Sequence, residues 1–481
     1  MGDLKLYNTR TRALETFVPL QPGSVRIYVC GLTPSAQAHL GHARSFLFFD
    51  LLRRYLVYRG YAVTYVQNVT DIDDRSINRA RETGENWYDI VTGYYTEFKG
   101  AMRALGVMEP DAEPYATKFI PQIQAMIGAL IERGFAYVVE DGIYYRVSAF
   151  ANYGKLSNRN IEELEAGARI EVGEHKEDPL DFALWKFAKP GEPKWAFPPF
   201  GDGRPGWHIE CSAMSQELLD PAGVGFDIHG GGADLIFPHH ENEIAQSEPL
   251  MTHPPMANVW LHGGLLNFEG RKMSKSLGNF EPLVDLLARH DPQAIRLTFL
   301  TTGYSKVMNF TEESLSAAYA TLDKLKRAYR RIHSGGAVVP AHNVATGLPA
   351  RVADLLDDDM NTSAALAEVL AFAKEATPPS LREYETALWL LGIEPNDAWL
   401  KEDVSPVPAD LPQRLHDELG TEISFNGITP EEAIEAVIAR RAQARAEKDW
   451  AASDRLRDAL AKCGITIKDS KEGTSWTVAA G

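Results

Sequence analysis

Residues Val25–Gln67 read VRIYVCGLTPSAQAHLGHARSFLFFDLLRRYLVYRGYAVTYVQ, and this stretch decides the fold. Val25–Cys30 is β-branched and aromatic, the composition of a buried strand. Gly31–Gly41 is turn-rich. From Gly41 to Tyr58 the apolar residues Phe46, Phe49, Leu52 and Leu56 recur at helical spacing, and Arg59-Gly60 stops the run. Ala62–Gln67 is a second strand. Strand, helix and strand in close succession predict a βαβ unit with a right-handed crossover and parallel strands. Ligands of such sheets bind beyond the carboxyl ends of the strands. Cys30 and the HLGH sequence, His39–His42, stand there.

Further along, Asp89–Arg133 reads as helical, and residues 134–205 as an irregular insertion rich in Gly, Pro and charge. Loops at strand ends tolerate such insertions. FDIHG (Phe226–Gly230) and NVWLHG (Asn258–Gly263) resume the sheet. Leu315, Ala318, Leu322, Leu325, Tyr329 and Ile332 alternate in threes and fours, which predicts an amphipathic helix over Thr311–His333, ended by Gly335-Gly336. Gly335–Pro349 reads as a loop and Arg351–Leu391 as further helices of a bundle. Glu394–Pro412 is Pro- and acid-rich, like a linker. Two short helices are expected in the tail, Pro430–Glu447 and Ser453–Cys463, the second ended by Gly464. The expected fold class is an α/β Rossmann-like catalytic domain (1–310) with a parallel sheet and an inserted connective segment, about 134–205. A helical bundle (311–393), a linker (394–429) and a small C-terminal domain (430–481) follow.

At 481 residues the chain exceeds a single core. No run of 18 apolar residues suggests a membrane span, and no basic segment followed by an apolar one suggests a signal peptide. Three cysteines, odd in number and far apart, argue against a disulfide framework and for a reducing compartment, with cytoplasm expected. A net charge of −17 speaks against a sequence-blind nucleic-acid binder, though a local patch can still meet RNA. From Glu431 onward nine acidic residues balance nine basic ones, so the tail does not carry the deficit.

Gly206–Glu243 reads GWHIECSAMSQELLDPAGVGFDIHGGGADLIFPHHENE. A helix started by Pro238 places His239 and Glu243 at i and i+4 on one face, with His240 turned away by about a third of a turn. Cys211, the histidine and the glutamate are all competent zinc ligands. A charge-assisted His–Glu pair beside a buried cysteine is equally compatible with these residues, since no CxxC or HExxH spacing is present. HLGH opens a helix, and a helix N-terminus suits phosphate. Gly41 lets a planar group approach, and two imidazoles can donate to phosphate oxygens. Lys272-Met273-Ser274-Lys275-Ser276 sets two lysines three apart among hydroxyls, able to follow a migrating charge. A solvated basic loop is the plainer reading of that motif alone.

Taken together, HLGH and KMSKS resemble the HIGH and KMSKS motifs of class I aminoacyl-tRNA synthetases. The longer stretches resemble the cysteinyl-tRNA synthetase family over nearly the whole chain: YVCGLTP from Tyr28, VTDIDDR from Val69, KEDPLDFALWK from Lys176, RPGWHIECSAM from Arg204, FDIHGGGADLIFPHHENEIAQS from Phe226, RKMSKSLGN from Arg271 and DDDMNTSAAL from Asp357. The resemblance implies one zinc ion per chain on Cys30, Cys211, His239 and Glu243. It implies ATP, with Mg²⁺, bound by His39, Gly41, His42, Gly230, Gly231, Gly232 and Lys275. His39, His42, Lys272 and Lys275 would be catalytic, and Trp207 and His229 would lie by the substrate L-cysteine. The tail would read tRNA(Cys), with Arg445, Trp450, Asp454 and Asp469 as candidates. A monomer with no membrane attachment is implied as well. Thr33-Pro34-Ser35-Ala36 departs from the family's Thr-Val-Tyr-Asp, so pocket contacts of that Tyr and Asp are not carried over.

The implied chemistry suits these groups. Serine differs from cysteine only by oxygen in place of sulfur, and an apolar pocket separates such near-isosteres poorly. Zinc prefers thiolate, so no editing domain is required. Four protein ligands fill a tetrahedral ion, so substrate needs a fifth position or a weak ligand, for which Glu243 is the candidate. A ligase of the same fold acting on an amino sugar would have no use for the tail. A non-catalytic RNA-binding relative would have no use for the ligands and lysines.

Overall fold

The computed structural model describes residues 2–159, 175–272, 281–333, 347–377, 380–400, 407–425, 427–470 and 473–478. The chain forms two compact units, Met1–Asn396 and Asp397–Gly481.

In the first unit Ser24–Leu32 and Ala62–Val69 pair in parallel, with the helix Leu40–Tyr58 between them in sequence. Phe226–Gly232 pairs with the other edge of Ser24–Leu32, and Ala257–Gly263 lies beyond it, all parallel. Val25, Ile27 and Val29 on one face of the central strand and Tyr28 and Cys30 on the other are all buried. A strand covered on both faces reads as a nearly continuous apolar run, as this one does. Gly31 is forced by packing, since a Cβ there would lie 1.6 Å from the backbone oxygen of Asn68. The helix buries its predicted stripe and also Asp50, Arg53 and Arg54, because it is enclosed on nearly every side. Arg54 Nε donates to Asp50 at 2.9 Å, and Arg296 from the helix Pro292–Leu300 donates to the same carboxylate.

Residues 134–205, expected to be irregular, instead carry a four-stranded antiparallel sheet. Its strands are Ala136–Val139, Gly142–Tyr145, Phe182–Phe187 and Gly203–Pro205. They run only three to six residues, and the Gly-, Pro- and charge-rich connections hide their alternation. Ile143, Leu184 and Trp185 pack against Ile123, Ile127 and Leu130 of the helix Ile120–Glu132. Two further helices, Asp74–Thr83 and Trp87–Ala104, precede it, the first capped by the Asp73 side chain. After the parallel sheet, Glu312–His333 buries Leu315, Ala318, Leu322, Leu325, Tyr329 and Ile332 as the periodicity predicts. Ala350–Asp357, Thr362–Glu375 and Leu381–Leu390 follow. Most of the expected loop 335–349 lies outside the described residues. No helix among the described residues is long and apolar enough to cross a membrane.

The second unit holds the helices Leu411–Leu419, Pro430–Ala446 and Trp450–Lys462 and the hairpin Ile465–Ser470 with Gly473–Val478. The first of these helices falls inside the stretch expected as linker. Pro412 sits in its first turn, where a missing N–H costs nothing, so a residue that reads as a breaker starts a helix. Leu411, Leu415 and Leu419 join Val437, Leu456, Leu460 and Ile465 in one core. The last helix begins at Trp450 rather than Ser453, because Asp449 caps it by accepting from the Ala452 N–H at 3.0 Å. Leu411→Ala is expected to destabilise this unit by about 2–5 kcal/mol. Faster amide exchange across Pro430–Ala446 and Trp450–Lys462 would register that loss, whereas unchanged exchange would mark residues 407–419 as a mere connection.

Candidate active site and metal centre

Three elements bring four donors together. Cys30 ends the apolar run of the central strand, and Cys211 lies on the helix Trp207–Leu219, whose cap Gly206 has to be glycine because a Cβ there would meet the Ala183 backbone oxygen at 1.9 Å. His239 and Glu243 come from the segment that runs into the helix Glu241–Ser247. Phe237 is extended (φ −140°, ψ 132°), so helical geometry begins at Pro238, as its ring favours. All four side chains are buried. Cys30 Sγ stands 3.7 Å from Cys211 Sγ and 3.4 Å from Glu243 Oε1, and His239 Nε2 lies 3.3 Å from that oxygen. The four donor atoms all lie within 4.8 Å of one another.

This geometry fits a tetrahedral zinc ion. Two thiolates each about 2.3 Å from such an ion stand about 3.8 Å apart, close to the observed sulfur separation. The electrostatics agree. Burial pushes the Cys30 thiol and the Glu243 carboxyl well up and His239 well down. Among the described residues no lysine or arginine pairs with Glu243. Two thiols, an imidazole and a carboxyl enclosed without a balancing cation become ligands when a metal replaces their protons.

Cys30, His229, His240 and Glu243 form a second cluster of the same tightness. It contains one sulfur rather than two, so the two-sulfur set is the better match to a soft ion. His229 Nε2 contacts Glu243 Oε2 at 2.9 Å and its ring stacks on Trp260 at 4.4 Å. His240 Nδ1 meets His262 Nε2 at 2.7 Å, and His262 Nδ1 meets Thr9 Oγ1 at 2.8 Å. Burial pushes His229 and His262 down to about 3, so both are neutral at physiological pH. These contacts would orient the four donors from outside, as surrounding partners of metal sites do. His208 belongs with them, its Nδ1 3.0 Å from His239 Nδ1. The expectation that His240 turns away is corrected. It is fully buried with Nε2 3.9 Å from Glu243 Oε1, because residues three apart on one helix also share a face. Tyr28, His208, His262 and Thr9 were not anticipated. For Tyr28 the signal was present, since it sits two residues before Cys30 and shares its strand face.

Trp207 lies against His239, ring centroids 4.2 Å apart, and forms a wall beside the ligands. At the start of the helix Leu40–Tyr58 the rings of His39 and His42 stack at 3.8 Å. His39 Nδ1 accepts from the Gly41 N–H at 3.1 Å and His42 Nδ1 accepts from the His39 N–H at 3.2 Å. An accepting Nδ1 carries no proton, so each neutral ring holds its proton on Nε2. The planar group that Gly41 admits is the ring of His39, 2.9 Å from where a Cβ would stand. Gly230 and Gly231 are likewise required by packing, with a Cβ at the first 2.3 Å from the Phe49 ring and at the second 2.9 Å from His240. Gly232 ends that strand beside Asp234. Lys272 closes the short strand Arg271–Lys272, opposite Asn267, and Lys275 lies outside the described residues.

In the second unit Trp450 is 60% exposed at a helix start. Asp469 accepts from both terminal nitrogens of Arg441 at 2.9 Å and from Arg445 at 2.7 Å. The hydrogen bonds from Arg441 and Thr474 hold its carboxyl well below the usual range. Asp454 pairs with Arg457 at 3.4 Å.

Comparison with known proteins identifies the family. The family described as tRNA synthetases class I (C) catalytic domain matches residues 16–320, and the Cysteinyl-tRNA ligase anticodon binding domain matches residues 430–476. The cysteine–tRNA ligase of Methylococcus capsulatus is 45% identical over 487 residues, covering 98% of this chain and 99% of that one. That of Geobacillus thermodenitrificans is 45% identical over 484 residues, covering 99% of each. Among solved structures, Mycobacterium tuberculosis methionyl-tRNA synthetase with methionyl-adenylate aligns at a TM-score of 0.54 and 15% identity, over 78% of this chain and 86% of that one. Agrobacterium radiobacter LeuRS in a ternary complex aligns at 0.57 and 12%, over 78% and 84%. The distant structures share the fold of the parallel sheet, and the near relatives run from end to end with both domains in place: this chain belongs to the cysteine–tRNA ligase family of class I aminoacyl-tRNA synthetases.

Proposed function

We propose that the chain activates L-cysteine with ATP and transfers it to tRNA(Cys), with Cys30, Cys211, His239 and Glu243 holding one zinc ion. The observation that carries this reading is the meeting of two sulfurs, 3.7 Å apart, with a histidine and a glutamate in one buried cluster. When bound, zinc supplies a soft Lewis acid that favours thiolate over hydroxyl. Trp207 walls the side-chain pocket, and His229 holds Glu243 through Oε2 while Oε1 faces the ligand set.

In the first step a carboxylate oxygen of cysteine attacks the α-phosphorus of ATP. An oxygen–phosphorus bond forms, the bond to the bridging oxygen breaks, and pyrophosphate leaves. The carboxylate is already ionised, so the protein needs to orient the reactants and neutralise spreading charge rather than supply a base. His39 and His42 donate from Nε2, and the positive end of their helix adds to the field. Lys272 and Lys275 meet the charge moving onto pyrophosphate, and Gly230–Gly232 lie at the ATP side of the sheet. In the second step a hydroxyl of the terminal ribose of tRNA attacks the acyl carbon and AMP leaves. Trp450 offers a stacking surface for an anticodon base, with Arg445 and Asp454 on neighbouring helical surface and Asp469 holding Arg441 and Arg445 in place. We assign 1–310 to catalysis, 311–393 to a supporting bundle and 430–481 to the anticodon, in a cytoplasmic monomer.

The test is cysteine-dependent ATP–pyrophosphate exchange followed by charging of tRNA(Cys). Both are expected, and exchange without charging would move the acceptor from tRNA to another amine or hydroxyl. Trp450→Ala is expected to lower kcat/KM for tRNA about tenfold, from the loss of one stacked base, and to leave exchange unchanged. An unaltered kcat/KM for tRNA would remove Trp450 from the interface.

A further inference from the structure

Arg44 lies just after His42 on the helix Leu40–Tyr58, and it is 5% exposed. Among the described residues no carboxylate pairs with it, and it donates instead to five backbone carbonyls. Nη1 reaches Gly264 at 2.9 Å and Leu265 at 2.6 Å. Nη2 reaches Gly303 at 3.3 Å, Tyr304 at 3.4 Å and Lys306.

Those carbonyls sit on two loops that feed one small sheet. Gly264 and Leu265 lead from Ala257–Gly263 into Leu266–Phe268, whose antiparallel partner is Arg271–Lys272. Residues 303–306 lead toward Met308–Phe310, which pairs in parallel with Leu266–Phe268. The loops are pressed together, since a Cβ on Gly264 would lie 2.2 Å from the Lys306 oxygen and the Gly264 N–H donates to Tyr304 at 2.7 Å. The Tyr304 ring stacks on Phe48 of the same helix at 3.9 Å. On the far side of the lysine segment the chain returns to this helix start. Leu283 donates to the Ala38 oxygen at 2.9 Å, and Pro282 forms a bridge with His39.

A buried guanidinium without a counter-charge, close to the positive end of a helix, is unfavourable by desolvation and by the dipole. Burial pulls it down to about 10, which leaves it charged at neutral pH. No apolar side chain could satisfy these carbonyls and no single ammonium could span two loops, so the use of the arginine lies in what its fork of donors fixes. We propose that Arg44 is a positioning residue for adenylate formation, holding the Lys272 hairpin in register with the HLGH turn so that both sets of donors meet one triphosphate. This rests on the assignment of those motifs to ATP made above.

The test uses the full-length holoenzyme and three variants: R44K, K272A and the double substitution. R44K keeps the charge but loses the fork, and it is expected to lower kcat for cysteine-dependent exchange about 10–100-fold, as misplacement by about an ångström does. Bound metal and the KM for cysteine are expected to stay unchanged. K272A is expected to lower kcat about 10²–10³-fold. The double variant should fall by less than the product of the two single losses, since Lys272 is one of the groups that R44K misplaces. Losses that multiply, or a wild-type kcat for R44K, would overturn the proposal. Full activity of K272A would instead overturn the ATP assignment beneath it. Amide exchange separates positioning from general packing. R44K should lose protection at Leu266–Phe268 and Met308–Phe310 but retain it at Phe226–Gly232. Equal loss in all three strands would overturn the proposal.

Discussion

Replacing Cys211 by serine is expected to abolish zinc retention and the preference for cysteine over serine together. Cys211 Sγ is one of two sulfurs spaced for a single ion, 3.7 Å from Cys30 Sγ. Serine keeps the size but offers a hydroxyl, which ionises far less readily than a thiol and suits zinc poorly. Removing a partner outside the ligand shell of a metal typically costs about 10–100-fold in affinity or activity, so loss of a ligand should cost at least about 100-fold. The site has no apolar fallback, because His239 and Glu243 are themselves buried and poised as ligands. Metal analysis of the purified variant and its exchange rates with cysteine and with serine measure both effects. A variant that loses its metal yet still rejects serine would show that selection comes from the shape of the pocket instead.

Asp50→Asn is expected to have the largest effect on stability. Asp50 is fully enclosed and receives Arg54 and Arg296, and its other oxygen accepts from the Met108 N–H at 2.8 Å. Arg296 reaches on to the oxygens of Leu391 at 2.6 Å and Leu105 at 3.0 Å, and Arg54 reaches that of Gly106 at 2.7 Å. Gly392 completes the site, since a Cβ there would lie 1.9 Å from the Arg296 guanidinium carbon. The amide leaves two buried cations uncompensated, a loss of about 3–5 kcal/mol. Burial alone would raise the Asp50 carboxyl, but Arg296 and Arg54 outweigh it and hold the carboxyl below its usual value. The sign of the pH dependence follows. A depressed carboxyl contributes stability above its unfolded value, about 3.9, and loses it as pH falls through the folded one. The stability difference between parent and variant should therefore be full at neutral pH and shrink in acid. Unfolding of the first unit, followed as a function of pH, measures this, and a difference below about 1 kcal/mol at pH 7 would mean that the triad is not a stabilising hub.

The parallel core was legible because two periodicities alternate cleanly, with Val25–Cys30 and Ala62–Gln67 as apolar strands and Phe46, Phe49, Leu52 and Leu56 at helical spacing between them. The antiparallel sheet of residues 136–205 was not legible, since Gly203–Pro205 and its partners are too short for alternation to emerge among glycines and prolines. Pro412 misled for a related reason, because one proline can break a helix or begin one and only the burial of Leu415 and Leu419 decides. At the site, the i,i+4 relation of His239 and Glu243 was readable from Pro238 alone. That Cys30 and Cys211 join this pair came from resemblance, because nothing local ties Cys30 to a residue some 180 positions away. The approach of His240 to Glu243 was readable from the same start, since residues three apart also share a helix face. Arg44 escaped because its partners are backbone carbonyls, which carry no signature in the side-chain sequence.

The most direct measurement of the central claim is X-ray absorption at the zinc edge of the holoenzyme, alone, with cysteine and with serine. Two sulfur and two nitrogen or oxygen neighbours are predicted for the free enzyme, from Cys30, Cys211, His239 and Glu243. Addition of cysteine should raise the sulfur count by one, and addition of serine should leave it unchanged. A sulfur count that stays at two when cysteine is bound would contradict recognition through the thiolate.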